Sequence, residues 1–137
     1  MENESGSIIM PDFGKLGMQK TYVGDGRFLS TVRSHQEAWV EVDGVKTELD
    51  PRLDLRNHSA TGFSWGYQGS GPAQLALAIL ADASNDKIAL QRYQEFKQEY
   101  IATLSQNRGF RIPIAVVHKF LERKEQTTEE SEYGEIG

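Results

Sequence analysis

The chain reads Phe-Ser-Trp-Gly-Tyr-Gln-Gly-Ser-Gly-Pro-Ala-Gln-Leu-Ala-Leu-Ala-Ile-Leu over residues 63–80, and these residues carry the strongest structural signal in the sequence. Its first part alternates aromatic residues with small or polar ones, a period of two that predicts a strand over 61–67 with one aromatic face. Every residue over 75–81 is apolar. Because a helix without a polar face belongs in the core, the sequence predicts a buried helix over 72–83 directly after that strand.

The glycine-rich turn between the predicted strand and helix indicates where the helix begins. Pro72 suits the first helical position because the N–H that proline lacks would have no partner there anyway. We therefore expect Gly71 to be the N-cap residue. The side chain of Gln74, at the third helical position, is then expected to reach back to a backbone N–H of the cap.

The flanking sequence predicts a small antiparallel sheet before this helix and further helices after it. Alternating runs on either side of Asp43-Gly44 form the clearest hairpin, because both turn residues tolerate positive φ. Further elements are predicted as strands at 19–23, 28–32 and 53–55, helices at 87–104 and 113–124, and an extended segment at 110–112. A run of strands before a run of helices indicates an α+β protein, here with four to five strands and about three helices in a single domain over 18–121.

The net charge of −5 lies mostly in the two ends of the chain. Residues 122–137 hold six glutamates against two basic residues, and residues 1–17 hold three acidic residues against one lysine. We expect residues 1–17 to form a flexible leader and residues 122–137 a disordered acidic tail. The nearly neutral centre lacks the basic patch of a nucleic-acid-binding domain, so direct nucleic-acid binding is not expected.

The composition argues against several other classes of protein. The chain has no cysteine, and therefore no disulfide framework, thiolate metal site or cysteine nucleophile. It has no apolar run of about 18 residues that would span a membrane, and its N-terminus carries glutamates where a signal peptide has basic residues. The sequence predicts a cytoplasmic protein without a membrane partner.

The start of the predicted buried helix is the sharpest candidate for a ligand site. Backbone N–H groups and the positive end of the helix dipole favour an anion there, so a phosphate-bearing small molecule is one expected ligand. The aromatic residues Trp65 and Tyr67, together with Trp39, are candidates for stacking on a base or on a side chain of a partner. The full candidate set is Trp65, Tyr67, Gly69, Ser70, Gly71 and Gln74. A purely structural role for these glycines and aromatics stays open, because the phosphate-loop lysine and the dinucleotide-binding glycine pattern are both missing.

Three helices do not easily bury both faces of the sheet. Either Trp39 or Trp65 should therefore be partly exposed.

Catalytic and metal-binding residues are not predicted. The three histidines, His35, His58 and His118, lie far apart and lack the spacing of metal ligands. His58 and Ser59 are adjacent in sequence, but a nucleophile and its base must converge in space with an orienting acid. A hydrolase that uses His58 is a third hypothesis. The leading prediction is a non-enzymatic protein without a cofactor.

Three sequence words resemble those of a known family: Asn57-His58-Ser59, the long word from Phe63 to Ala78, and Tyr93-Gln-Glu-Phe-Lys. With a short opening similar to Lys20-Thr-Tyr-Val-Gly, the resemblance covers residues 20–121. The family is an uncharacterised one (a domain of unknown function) of small proteins from bacteria, archaea, phages and other mobile elements. It brings no catalytic residues. The resemblance implies a gene that is often carried by phage or plasmid DNA, and a phage-encoded protein would act in the host cytoplasm.

Two functions therefore follow as expectations. The first is a protein-binding factor of phage or mobile-element type that occupies a host protein, such as a component of a defence system, and inhibits it. The second is a small-molecule module that holds a nucleotide or another phosphate-bearing ligand at the start of the buried helix.

Overall fold

The structure is a computed structural model and describes residues 20–25 and 36–123. Its strands are β1 (Lys20–Asp25), β2 (Glu37–Val42), β3 (Val45–Glu48) and β4 (Phe110–Pro113); its helices are α1 (Ser70–Ala83), α2 (Asp86–Phe96) and α3 (Ile114–Glu122), and a π-helix (Lys97–Ile101) follows α2 directly. The predicted α+β class, with a small antiparallel sheet and three helices, is confirmed.

The sheet has four antiparallel strands in the order β3-β2-β1-β4. The predicted hairpin is present as β2 and β3. Its two turn residues, Asp43 and Gly44, have φ of 51° and 84°, as the tight hairpin turn requires. The last strand is the segment that the sequence predicted as extended at 110–112, and it pairs with β1 at the far edge from β3.

One face of the sheet packs on the helices and shares a single core with them. Tyr22 stands opposite Val40 on one side and Ile112 on the other, and all three are buried. Helix α1 is buried continuously from Gly71 to Ala81, which confirms the buried helix predicted from its run of apolar residues. The alternate residues of the strands, including Trp39, lie on the opposite face of the sheet.

The predicted strand over 61–67 is wrong, because residues 61–69 form a loop. Gly66 has a φ of 91°, which interrupts an extended chain and suits only glycine well. Its N–H donates to the carbonyl of Ile101 at the end of the π-helix instead of joining the sheet. The predicted strand at 53–55 is also wrong: Arg52 has a φ of 55° and its carbonyl accepts the Leu55 N–H, which closes a turn.

Helix boundaries differ from the predictions by a few residues. The N-cap of α1 is Gly69 rather than Gly71. Helix α2 begins one residue earlier than predicted, capped by Asn85, whose Oδ1 accepts the Ile88 N–H at 2.9 Å. It then widens into the π-helix, where the Ala102 N–H donates to the Lys97 carbonyl, so the predicted helix over 87–104 is two elements.

Several predictions lie outside the described residues. These are the flexible leader over 1–17, the strand over 28–32 and nearly all of the acidic tail over 122–137. Within the described residues, no helix is long and apolar enough to cross a membrane.

Candidate functional site

The structure turns the indole of Trp65 into the core. Trp65 has no exposed surface. Its Nε1–H donates to the Arg108 carbonyl at 2.8 Å, and its ring meets that of Phe110 edge to face, with centroids 4.8 Å apart. The indole faces are therefore occupied by the protein itself and are not presented to a ligand. The expectation that either Trp39 or Trp65 is partly exposed is confirmed for Trp39, which is half-buried.

Gln74 is also fully buried, and its amide is saturated by loop backbone. Its Oε1 accepts N–H groups of His58 and Ser59 at 2.7 and 3.0 Å. Its Nε2 donates to the carbonyls of Pro51 and Arg56 at 2.6 and 3.0 Å. A glutamine side chain can make about four hydrogen bonds, so Gln74 fastens the loop over 51–59 to α1 and does not cap the helix. The sequence feature that indicates this role is a single amide side chain within an otherwise apolar stretch of helix.

The remaining candidate residues surround the beginning of α1. The Ser64 hydroxyl lies 2.8 Å from that of Tyr67, and a Cβ at Gly71 would overlap Ser64 Oγ. Gly71 is therefore glycine because Ser64 packs directly against it. Among the residues predicted here, Ser70 and Tyr67 are exposed, Tyr67 by 42%. Binding of a phosphate-bearing ligand at this helix start stays a prediction.

A groove of about 210 Å³ opens beside Trp39, at the end of the β2–β3 hairpin opposite its turn. It is lined by Gln36, Glu37, Ala38, Trp39, Glu48, Leu49, Thr61, Gly62 and Phe63. Trp39 and Glu48 are directly opposite each other in the β2–β3 ladder, and Phe63 comes from the loop that the sequence predicted as a strand. Three separate segments thus build the groove.

The carboxylates of the groove lack partners in the part of the chain that the structure describes. Neither Glu37 nor Glu48 takes part in an ion pair there, and both are exposed. The neighbouring Glu41, in contrast, pairs with Arg111 at 2.9 Å. The ammonium of Lys46 lies 5.1 Å from the centroid of the Trp39 ring, a cation–π contact. The groove therefore combines two aromatic side chains with two carboxylates that form no ion pair within residues 20–25 and 36–123.

The sequence model of a protein family, described as a family of unknown function (DUF6166), matches residues 22–123. The chain belongs to the DUF6166 family. The match spans β1 to α3 and so includes both α1 and the residues that line the groove. The resemblance to a family of unknown function is confirmed, whereas the phage or mobile-element origin stays a prediction. Neither a curated protein nor a solved structure is similar enough to match the chain.

His58 lies beside Tyr93, with its Nε2 2.7 Å from the tyrosine hydroxyl. The Ser59 hydroxyl donates to the Gly62 carbonyl, so it is not poised as a nucleophile for His58. Asp54 is engaged by both Nε and Nη2 of Arg52, and this guanidinium lowers the pKa of the Asp54 carboxyl. Within residues 20–25 and 36–123, no group of three histidine or acidic side chains is placed to hold a metal ion.

Proposed function

We propose that this DUF6166 protein binds another protein and takes a basic side chain of that partner into the groove beside Trp39. The observation that carries the proposal is the pairing of Trp39 and Phe63 with the carboxylates of Glu37 and Glu48 around one small opening. An arginine side chain matches this lining, because its planar guanidinium stacks on aromatic faces and forms paired hydrogen bonds with carboxylates.

The size of the groove favours a side chain over a small-molecule ligand. Pockets for drug-sized molecules usually enclose about 300 to 1,000 Å³, whereas this groove has about 210 Å³. The predicted nucleotide site has a further difficulty, because Trp65 and Gln74 have no exposed surface. Both observations support a protein partner rather than a nucleotide.

The contact of Lys46 with Trp39 supports the choice of a cation. The indole accepts an ammonium from within the same chain, so its ring is electrostatically suited to a positive group. Lys46 does not line the groove itself. The partner's cation is expected to lie between Trp39 and Phe63, where the carboxylates of Glu37 and Glu48 add Coulombic attraction at the rim.

The test compares proteins that are captured by four tagged forms of the full chain. The wild type and a matched control, Glu122→Lys, carry the intact groove, since Glu122 is an exposed residue of α3. Glu37→Lys and Trp39→Ala alter the groove. Mass spectrometry should find a stoichiometric protein with the first two forms and not with the last two.

The captured protein is then measured by calorimetry against the same four forms. We expect Glu37→Lys to weaken binding by about tenfold or more, because a favourable contact becomes a repulsive one. Equal capture and equal affinity for all four forms would show that the partner binds elsewhere. A captured phosphate-bearing metabolite, with no protein, would favour the start of α1 as the ligand site.

We further propose that the partner is a host protein and that binding inhibits a host defence system. The support is the small size of the chain and the mobile-element setting that its sequence words resemble. The measurement is phage plating efficiency on a defended host that expresses wild type, Glu122→Lys or Glu37→Lys. Restored plating with the first two and not with Glu37→Lys is the expected result, and no restoration with any form contradicts it.

A further inference from the structure

Strand β3 forms one edge of the sheet and is exposed along its whole length. All four residues of the strand are exposed, and Val45 alone is exposed by 65%. In the described part of the chain, β2 is the only strand that pairs with it. An edge of this kind presents unpaired backbone groups that can extend the ladder with another strand.

The backbone pattern of the hairpin shows which groups point outward. The Leu49 N–H donates to the Ala38 carbonyl, so Leu49 directs its backbone groups toward β2. Because this direction alternates along an antiparallel strand, Thr47 also points toward β2. Lys46 and Glu48 therefore direct their N–H and C=O groups away from the sheet.

We infer that two copies of the chain pair along β3, antiparallel, around a two-fold axis that passes through Thr47. In this register Lys46 lies opposite Glu48 of the partner subunit, and Glu48 lies opposite the partner's Lys46. Both residues of each pair point their backbone groups outward, so main-chain hydrogen bonds form between them in both directions. The two four-stranded sheets then join into a single eight-stranded one.

Charge selects this register over its neighbours. A slip by one residue turns the strand's faces over, so the nearest alternatives are slips by two. One of these places Lys46 opposite the partner's Lys46, and the other places Glu48 opposite the partner's Glu48. Like charges directly opposite each other destabilise a ladder, whereas opposite charges and threonine pairs stabilise it. The inferred register has two opposite-charge pairs and one threonine pair.

The same register covers the most exposed apolar side chain of the strand. Val45 lies opposite Leu49 of the partner subunit, on the face of the sheet that packs on the helices. A lone lysine on an edge strand commonly prevents pairing. Here Glu48, two residues away, gives the lysine a symmetric counterion and makes the edge complementary to itself.

This dimer and the groove proposed above share Glu48, which lines the groove, but each proposal is tested mainly at different residues. The groove is tested at Glu37 and Trp39, on β2, whereas the dimer is tested at Lys46 and Glu48. A chain that dimerises without capturing a partner, or captures one as a monomer, separates the two proposals.

The test is sedimentation equilibrium of the full chain over a range of concentrations. The wild type and the control Glu122→Lys should show a concentration-dependent dimer. Lys46→Glu and Glu48→Lys should each raise the dissociation constant on the order of tenfold or more, because two attractive pairs become repulsive. Circular dichroism confirms that the variants fold, as expected for exposed positions.

A mixture of the two single variants is the sharpest measurement. In a homodimer of either variant, like charges lie opposite each other. In the heterodimer of the two variants, a carboxylate lies opposite a lysine in both pairs. An equimolar mixture should therefore recover the wild-type dissociation constant. A wild type that stays monomeric, single variants that dimerise like the wild type, or a mixture that stays monomeric would each overturn the inference.

Discussion

Helix α1 and strand β3 lie at opposite extremes of burial in the same small domain. The helix buries every residue from Gly71 to Ala81, and the strand exposes all four of its residues. The helical part of the long sequence word, from Gly71 to Ala78, therefore belongs to the interior, and its buried amide, that of Gln74, bonds to the protein itself. Within the described residues, strand β3 pairs only with β2, and all four of its residues are exposed. A long sequence word in an uncharacterised family can thus reflect packing rather than binding.

Leu77→Asp should have the largest effect on stability, because it places a carboxylate in the buried helix α1. Leu77 has no exposed surface. An unpaired buried carboxylate together with the lost leucine costs several kcal/mol, which is comparable to the whole free energy of unfolding of a typical protein, about 5–15 kcal/mol. Circular dichroism should show an unfolded chain. The matched control is Leu53→Asp at an exposed leucine; an equal loss of structure in both variants would contradict the assignment of α1 to the core.

Gln74→Met should have the second largest effect. The methionine fills a similar volume but leaves two N–H groups and two carbonyls of the 51–59 loop without their partner. We expect the free energy of unfolding to fall by about 2 to 4 kcal/mol, measured by urea titration. Gln91→Met, at an exposed position of α2, is the control and should change stability little. Comparable small losses at both sites would mean that water replaces the Gln74 contacts.

Tyr22→Phe should have a smaller effect that depends on pH. The Tyr22 hydroxyl donates to Asp82 Oδ2 at 2.7 Å; burial first, and then the Asp82 carboxylate, raise the pKa of Tyr22 far above its usual range. A raised pKa in the folded state stabilises the protein fully below the unfolded value of about 10, and this stabilisation is lost as pH rises above that value. At pH 7 the variant should lose about 1 kcal/mol.

The alkaline arm of the same experiment separates this group from the other tyrosines. Melting temperatures measured between pH 8 and pH 11 should fall less steeply for Tyr22→Phe than for the wild type. Tyr67→Phe, at an exposed tyrosine beside Ser64, should keep the wild-type slope. Identical slopes for all three proteins would show that ionisation of Tyr22 does not limit stability at high pH.

Val45→Thr should have the smallest effect on folding. Substitutions at exposed positions usually change the free energy of unfolding by about 0.5 kcal/mol or less, and threonine suits a strand. Thermal melts of dilute protein should therefore leave the melting temperature nearly unchanged. Val40→Thr, at the buried position in the adjacent strand, should lower it clearly. A large loss in Val45→Thr would show that the edge strand is part of the core.

Local sequence chemistry predicted the parts of the fold that local chemistry controls. The hairpin followed from Asp43-Gly44, and α1 followed from a proline beside glycine and an apolar run. The strand over 61–67 was predicted wrongly because its alternation is real but Gly66 leaves the extended conformation to bond to Ile101. A contact 35 residues away along the chain is invisible to a local pattern.

The candidate site was less predictable than the fold. The sequence predicts that either Trp39 or Trp65 is partly exposed, but it does not predict which residues surround Trp39. Its neighbours in the groove come from the end of β3 and from the loop at Phe63. The role of Gln74 was missed for a related reason. Helix position suggested a cap, whereas the loop that occupies its amide reaches α1 only in the folded chain.

The π-helix over Lys97–Ile101 has a consequence for how the family tolerates length changes. Its i to i+5 bond, from the Ala102 N–H to the Lys97 carbonyl, holds one residue more than an α-helical turn. The π-helical turn therefore acts as a one-residue insertion that rotates the residues after it by about 100° around the helix axis. A single deletion within this segment would restore a regular helix but rotate Ile101 away from the Gly66 N–H, so the extra residue and the glycine are expected to be gained or lost together among relatives.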